Sequence, residues 1–278
     1  MDKYFKRKVY QIELNEDICT QCGICTELCP VGIFVRDRKT KEVEVHSMLW
    51  TLCLGCGHCA TACPTGAVEL NGRSCSDLPT IPREMITRIE QFESLAVTRR
   101  SIRAYRKDRV PRRWLEQMVD IAAYAPTAKN LQLVEWIIVE NPETVHKLSG
   151  LAVDVLAETK GGRLLRRAFR KGEDPIHRGA PHLIIAHCPD DYRWADCDAA
   201  VALTHVDLAA HAIQLGTCWA GYFTDAACLS AEKEEYPIHD LLELPHDRRI
   251  CGALMIGYPR FKYPRQPERH GPIYKVIE

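Results

Sequence analysis

The spacing of hydrophobic positions changes near residue 83, and the elements that it predicts fall into two groups. Before that point the apolar runs are short. Residues 4–14 alternate weakly and predict a strand, residues 31–45 predict a hairpin around Asp37–Thr40, and residues 66–70 predict a closing strand. Residues 71–82 are interrupted by Gly, Ser and Pro and predict a linker.

After residue 83 the apolar positions recur at helical intervals. Residues 83–96 predict a helix with Met85, Ile89, Phe92 and Ala96 on one stripe. A second helix is predicted from Pro111, with Ile121 among its inward residues. Further helices are predicted over residues 144–159, 164–171 and 196–214, inner strands over 134–140 and 182–188, and a last strand over 251–257. Because these elements do not follow a regular βαβ order, they predict an α+β domain.

Length and charge narrow the possible functions. A chain of 278 residues suits two domains. Lys plus Arg and Asp plus Glu number 37 each, so net charge gives no attraction to nucleic acid. The longest apolar stretch, residues 199–220, is interrupted by polar side chains such as Asp207, and we therefore expect no membrane span.

Eight cysteines form a repeated pattern in the first part of the chain. The run Cys19-x-x-Cys22-x-x-Cys25-x-x-x-Cys29-Pro30 recurs as Cys53-x-x-Cys56-x-x-Cys59-x-x-x-Cys63-Pro64. This spacing is typical of paired [4Fe-4S] clusters, in which the fourth cysteine of each run binds the other cluster. It resembles a bacterial two-cluster ferredoxin and predicts two ligand sets, Cys19, Cys22, Cys25 and Cys63 for one cluster and Cys53, Cys56, Cys59 and Cys29 for the other.

Other interpretations of these cysteines remain open from the spacing. Two structural zinc sites also take four thiolates from CxxC pairs, but the third cysteine and the Cys-Pro ending favour the clusters. Cys56-Gly57-His58-Cys59 alone is typical of a thioredoxin-type dithiol. A disulfide framework is disfavoured because residues 1–14 have no secretory apolar core. Reduced thiols and clusters together predict a reducing cytoplasm.

Three stretches of the second part carry candidate chemistry. Arg99-Arg100-Ser101-Ile102-Arg103 can bind a phosphate through planar guanidiniums, or can be a solvated basic turn. In residues 125–132, Asn130 and Gln132 can hydrogen-bond the edge of a planar heterocycle, or belong to an ordinary loop. Residues 215–222 form a small-residue loop in this interpretation, with glycines that allow a close backbone approach, or simply a helix end.

Together with Gly257-Tyr258-Pro259 and Arg265-x-Pro267-x-Arg269, these stretches resemble the nitroreductase family of FMN enzymes over residues 83–278. The resemblance implies an α+β homodimer with one FMN in each interface. One departure is that the family often has Gln-Pro-Trp after the Asn, where this chain has Gln132-Leu133-Val134. The departure concerns the shape of the substrate pocket and not the cofactor.

The resemblance also implies a role for each matching residue. The FMN phosphate and ribityl chain would be bound by Arg99, Arg100, Ser101, Arg103, Arg265 and Arg269. The isoalloxazine would be faced by Pro126, Thr127 and Asn130, reaching it from the partner subunit, and by Trp219, Ala220 and Gly221, with the Gly221 N–H on flavin N5. No catalytic acid or base is assigned beyond FMN.

The predicted organisation is a two-cluster ferredoxin-like domain over residues 1–72, a linker over 73–82 and a nitroreductase-like α+β FMN domain over 83–278. We expect electrons to pass from an external donor such as ferredoxin through the clusters to FMN, and then to a small organic acceptor: a nitroaromatic, a quinone or an activated alkene. Two alternatives are an NAD(P)H-dependent nitroreductase with the clusters as electron exit, and an electron carrier or redox sensor without a small substrate.

Overall fold

A computed structural model describes residues 10–278, so the start of the strand predicted over residues 4–14 lies outside the described residues. The chain forms two compact units. The first runs through Ile86 and also includes Thr127–Gln132, and the second comprises Thr87–Pro126 and Leu133–Glu278. The domain limits of the sequence analysis stay predictions, but the sequence did not anticipate that residues 127–132 would pack with the first unit.

Short elements build the first unit around a small core. They are β1 (Ile12–Leu14), α1 (Ile24–Leu28), β2 (Phe34–Arg36), β3 (Val43–Val45), α2 (His58–Thr61) and β4 (Val68–Leu70), with 3-10 turns at Leu49–Leu52, Cys75–Asp77, Arg83–Met85 and Ala128–Asn130. Strand β1 pairs antiparallel with β4, and β2 with β3. The hairpin and the closing strand are therefore confirmed. The core of this unit consists of buried side chains on or next to these strands: Ile33, Phe34, Val43 and Val68.

Longer elements build the second unit. Its helices are α3 (Ile89–Thr98), α4 (Arg112–Ala122), α5 (Pro142–Leu156), α6 (Gly162–Arg170), α7 (Ala195–Ala212), α8 (Gly221–Glu232) and α9 (Pro237–Leu241), and its strands are β5 (Glu135–Val139), β6 (His182–Pro189), β7 (Gly216–Trp219) and β8 (Arg248–Gly257). The strands form one antiparallel sheet in the order β5-β6-β8-β7. This architecture confirms the α+β class.

The core of the second unit lies along the central strands. Every residue of β6 is buried, because helices cover both faces of the sheet. Leu183 and Ile185 of β6 join one hydrophobic cluster with Leu148 of α5 and Phe223 of α8. Helix α7 contacts β6, β7 and β8. None of the helices within residues 10–278 is both long and apolar enough to cross a membrane.

The first predicted helix begins later than expected. Met85 lies in a separate 3-10 turn, and α3 starts at Ile89. Met85, Ile89 and Phe92 are 72%, 70% and 51% exposed, so the predicted stripe does not pack inward. The predicted helix is therefore confirmed from Ile89 onward, and within the described residues its apolar stripe stays exposed.

Three other expectations needed correction. Ile121 of α4 is 40% exposed instead of inward. Residues 134–140 were expected to form an inner strand, but β5 lies at the edge of the sheet. Residues 216–219 were expected in a loop, but they form β7, because their backbone pairs with β8. Helices α8 and α9 were not predicted.

Candidate functional site

The eight motif cysteines surround two separate cavities of the first unit. Cys19, Cys22, Cys25 and Cys63 line a cavity of about 310 Å³. Cys29, Cys53, Cys56 and Cys59 line a second cavity of about 370 Å³. Each cavity therefore takes three cysteines from one run and the fourth from the other run, which is the grouping that the spacing predicted. Ligation itself stays a prediction.

Three of the motif thiols are held in surroundings that oppose their ionisation. Burial, with the charge of neighbouring thiolates in addition, raises the pKa of Cys25 and Cys53 and raises the pKa of Cys59 to about 11. Burial also acts upward on the pKa of Cys63, but backbone N–H groups of the residues that follow it outweigh burial and lower that pKa. Thiolates crowded in this way need a cationic centre to compensate their charge, and they fit an iron-sulfur cluster.

Backbone donors already point at the cysteine sulfurs. The Ile33 N–H donates to Cys29 Sγ at 3.2 Å, and the Gly55 N–H donates to Cys53 Sγ at 3.3 Å. Hydrogen bonds of this kind stabilise ionised sulfur and tune the potential of a bound cluster. The local backbone is therefore shaped for thiolate ligands.

In the second unit, the arginine-rich stretch is fixed against the sheet. The Ile102 N–H donates to the Thr217 carbonyl at 2.7 Å, beside β7, and the Arg106 N–H donates to the Tyr258 carbonyl at 2.9 Å, beyond β8. Gly216 is needed for this approach, because a Cβ there would lie 2.6 Å from Ile102 Cγ1. These contacts therefore place the first stretch, residues 99–103, beside the third stretch, residues 215–222.

One cleft gathers most of the predicted phosphate-binding residues. It is an open cleft of about 1080 Å³, counting its solvent-filled mouth, and is lined by Arg100, Ser101, Arg103, Tyr263, Arg265, Gln266, Pro267, Glu268 and Arg269. Among the described residues, four arginines and one glutamate therefore face this cleft. Such a surplus of guanidinium groups suits a phosphate. Arg100 Nε is buried without a hydrogen-bond partner in the described part of the chain, while its Nη1 donates to the Val97 and Arg99 carbonyls.

Arg99 does not line this cleft. Its Nη1 lies 3.4 Å from Asp207 Oδ2, and the Thr217 hydroxyl donates to the same carboxylate. Asp207 thereby connects α7, the end of α3 and β7, and the sequence analysis gave it no role. The predicted contact between Arg99 and the FMN phosphate stays a prediction.

Residues of the third stretch line a separate cavity of about 570 Å³ in the second unit. Arg103, Ile176, Arg178, Cys218, Trp219, Gly221, Tyr222, Asp225 and Met255 line it. Gly221 is the first residue of α8, where a backbone N–H has no partner within the helix and can donate to a ligand. Trp219 is 44% exposed, whereas Ala220 is buried and its N–H donates to the Ala253 carbonyl at 2.9 Å. Ala220 is therefore not among the lining residues.

The residues of the second stretch that were predicted to face the flavin ring line neither the arginine-rich cleft nor the cavity beside Trp219. Pro126 is exposed. In the first unit, Asn130 Nδ2 donates to the Leu54 carbonyl at 3.2 Å and to the Gly55 carbonyl at 3.1 Å. The Thr127 hydroxyl accepts from the Gln132 N–H at 3.1 Å. The flavin contacts of Pro126, Thr127 and Asn130 remain predictions, and no sequence signal indicated the contact of Asn130 with the cysteine loop.

Comparison with known proteins bears on both units. Residues 96–258 match the model of the nitroreductase family. The chain belongs to this family. Membership of the nitroreductase family makes it a flavin-dependent oxidoreductase, as the motifs predicted. Residues 18–68 match the 4Fe-4S dicluster domain, which favours clusters over the zinc, dithiol and disulfide interpretations of the cysteines.

Relatives of this nitroreductase-family chain cover about two thirds of it. A protein of Archaeoglobus fulgidus, provisionally named an NADH dehydrogenase/NAD(P)H nitroreductase, is 25% identical over 177 residues, which are 62% of this chain and 87% of that protein. The crystal structure of a Bacteroides fragilis nitroreductase with bound FMN has a TM-score of 0.58 at 22% identity, covering 66% of this chain and 98% of that one. A Desulfitobacterium hafniense nitroreductase with bound FMN has a TM-score of 0.56 at 21% identity, covering 66% and 97%. These structures support the fold of the second unit.

Proposed function

We propose that this chain is an FMN-dependent oxidoreductase whose two [4Fe-4S] clusters relay electrons between an external donor such as ferredoxin and the flavin site. The final acceptor is a small organic molecule: a nitroaromatic, a quinone or an activated alkene. Bound FMN exchanges electrons singly or in pairs and so connects one-electron clusters to a two-electron acceptor. FMN is also present in the two solved relatives described above.

One observation carries the flavin assignment. Arg103 lines both the arginine-rich cleft and the cavity beside Trp219 and Gly221. A ligand that passes Arg103 would therefore meet cations at one end and a tryptophan with a free helix N-terminus at the other. A flavin mononucleotide has this chemistry, since it joins a phosphate to a planar heterocycle.

Each group of residues has a distinct task in this proposal. Arg100, Arg103, Arg265 and Arg269 bind the phosphate, and Ser101 donates to it. Trp219 and the Gly221 N–H would hold the ring, with the N–H as a hydrogen-bond donor to it. Arg99 acts indirectly, through the ion pair with Asp207 that holds the segment in place.

The resemblance to the family further supports a homodimer, in which Pro126 and Thr127 reach the flavin of the partner subunit. Light scattering of the purified protein tests this part, and a monomer with full FMN content would contradict it. The reducing cytoplasm predicted from the sequence is part of this proposal, because reduced thiols and [4Fe-4S] clusters persist in such a compartment.

Each reduction step of the organic acceptor consumes two electrons and two protons. For a nitroaromatic, the step converts the nitro group to a nitroso group and releases one water. The electrons come one at a time from the external donor, and the protons come from solvent, which reaches the cavity beside the exposed Trp219 and Tyr222. No side chain of the cavity is assigned as the proton donor.

An anaerobic visible spectrum tests the electron route. The purified protein is titrated with NADH, then with NADPH, then with chemically reduced low-potential ferredoxin. We expect the ferredoxin to bleach both the flavin band and the broad cluster absorbance. The relay predicts that Cys22→Ser and Cys56→Ser slow this flavin reduction, while Cys197→Ser, at an exposed cysteine of the second unit, leaves it unchanged. Unchanged flavin turnover in the first two variants would contradict the relay.

Flavin binding is tested separately. Replacement of Arg103 by Gln removes a charged hydrogen-bond donor, which is worth about 1.5–3 kcal/mol, and should weaken FMN binding roughly ten- to hundredfold. Arg163→Gln is the matched control, because Arg163 is exposed on α6 and lines neither cavity. Equal dissociation constants for the two variants, measured by the fluorescence of released FMN, would refute the assignment of the site.

A pyridine nucleotide is the second candidate donor. The provisional name of the Archaeoglobus fulgidus relative supports it. Rapid bleaching of the flavin band by NADH or NADPH alone would establish this alternative, with the clusters as electron exit. A carrier or sensor without a small substrate is less well supported, because the cavity assigned to the ring is open to solvent beside the exposed Trp219 and Tyr222.

A further inference from the structure

The two cysteine loops of the first unit follow the same backbone course. Gln21 and Gly55 each stand directly before the second cysteine of their run, and both have positive φ, 59° and 62°. Gly23 and Gly57 each follow that cysteine, again with positive φ, and precede α1 and α2. Equivalent positions of the two loops can therefore be compared atom by atom.

The carbonyl before the second cysteine accepts a side-chain hydrogen bond in both loops, but the donors differ. Arg36 Nη2 donates to the Gln21 carbonyl at 2.6 Å. Asn130 Nδ2 donates to the Gly55 carbonyl at 3.1 Å. The first loop is therefore held by a cation, and the second by a neutral amide.

The sequence explains why the second loop needs a donor from elsewhere. Arg36 follows Cys29 at the same interval as Leu70 follows Cys63. Both side chains lie over equivalent glycines, since a Cβ at Gly23 would lie 2.1 Å from Arg36 Nη2 and a Cβ at Gly57 would lie 4.0 Å from Leu70 Cδ2. Leucine offers no donor, so the hydrogen bond that Arg36 makes is left to Asn130.

Asn130 is held rigidly enough for this task. Its Oδ1 accepts from Gln132 Nε2 at 3.0 Å, so both ends of its amide are engaged. Lys129, Asn130 and Gln132 all have φ between 51° and 53°, a conformation that persists only where the surroundings enforce it. On the other side of the loop, a Cβ at Gly55 would lie 2.2 Å from the Tyr10 ring, so Gly55 has little freedom to move.

We propose that Asn130 is a positioning residue of the cluster held by Cys29, Cys53, Cys56 and Cys59, in the place that Arg36 occupies for the other cluster. The inference rests on the clusters of the proposed function. A cation stabilises the more negative, reduced state of a cluster more than an amide does. The cluster beside Arg36 therefore has the higher reduction potential, and the cluster beside Asn130 the lower one.

Potentiometric titration of the full chain, followed by electron paramagnetic resonance, tests this inference. Asn130→Asp keeps the shape of the side chain, removes the donor and adds a negative charge, so it should lower the midpoint of one cluster. Arg36→Gln should lower the midpoint of the other. Asn71→Asp is the matched control in the same unit, because Asn71 Oδ1 accepts from the Gln11 N–H at 3.0 Å and a carboxylate can still accept. It should move both midpoints less.

Cys56→Ser identifies which signal belongs to the cluster beside Asn130. If the Asn130→Asp protein fails to take up iron, the Asn130→Ala protein is measured instead. This variant lacks the hydrogen-bond donor but adds no charge, and it should lower the midpoint of the same cluster. The inference is overturned if the Asn130 variants shift neither midpoint more than Asn71→Asp does, or shift the midpoint that Arg36→Gln shifts. Loss of FMN with unchanged cluster midpoints would also overturn it, because Asn130 would then serve the flavin.

These outcomes do not depend on the electron route. Unequal midpoints with a flavin that ferredoxin cannot reduce would contradict the proposed function alone. Reduction of the flavin through the clusters, with midpoints indifferent to Asn130, would contradict this inference alone.

Discussion

Gly252 of β8 leaves the space in which Trp219 lies. A Cβ at position 252 would be 2.5 Å from Trp219 Cη2, 2.7 Å from Trp219 Cζ2 and 2.8 Å from Leu203 Cδ1. Carbon atoms in contact prefer about 3.5–4.0 Å, so in Gly252→Ala the indole would have to retreat by about 1 Å. Leu203 is buried and cannot yield as easily. We expect Gly252→Ala to lower the free energy of unfolding by about 1–3 kcal/mol.

The same displacement should weaken FMN binding, because Trp219 lines the cavity assigned to the ring. Denaturant unfolding followed by near-ultraviolet circular dichroism measures the first effect, and fluorescence of released FMN measures the second. Trp219→Phe removes the two colliding indole atoms and leaves only the contact with Leu203 Cδ1, so Gly252→Ala should cost less stability in that background. Gly221→Ala is a control for stability, since its Cβ would lie 3.6 Å from Trp219 Cδ1. An equal cost of Gly252→Ala in both backgrounds would refute the reasoning.

Three further predictions follow from buried or constrained positions. Burial lowers the pKa of His177 to about 4, so its contribution to the free energy of unfolding should be constant above the unfolded pKa near 6.5 and should fall by up to about 3 kcal/mol as the pH drops to 4. His177→Gln should therefore reduce the slope of unfolding free energy against pH in this range, and an unchanged slope would contradict the prediction. Leu148→Ala, at a fully buried side chain of α5, should cost about 2–5 kcal/mol, whereas Leu164→Ala, at a side chain 70% exposed, should cost less than about 0.5 kcal/mol in the same assay. Gly55→Ala should lose bound iron, because the added methyl group would collide with the Tyr10 ring. Gly72→Ala, at a glycine with the same sign of φ and nothing within 4 Å, should retain iron. An equal loss of iron in the two variants would show that backbone strain alone matters.

The sequence predicted features that depend on neighbours along the chain. The grouping of the cysteines could be predicted from the short fixed intervals between them. Helices α5 and α7 could be predicted because their buried side chains recur at helical intervals. Features set by distant partners were missed. Strand β7 exists because its backbone pairs with β8, and its four residues are too short to show an alternating pattern. Asn130 and Gly55 are 75 positions apart, so neither residue indicates the other.

The exposure of α3 shows a related limit. The helical period of Ile89 and Phe92 was visible, but period alone does not say which surface covers an apolar stripe. In the described residues the side chains remain exposed. The arginine-rich cleft was easier to anticipate, because its members are chemically alike even though Arg103 and Arg265 are far apart in the chain.

With the predicted ligand sets, neither cysteine run would complete a cluster by itself, because Cys63 lines the cavity of Cys19 and Cys29 lines the cavity of Cys53. During translation the amino-terminal run leaves the ribosome first. Iron delivered at that moment would find three thiols and one position open to water. The centre of Cys29 is complete only when Cys59 has emerged, and the centre of Cys19 only when Cys63 has emerged, so a chain released after the first run alone should hold no stable cluster. Biosynthesis thus couples the two centres before any electron passes between them.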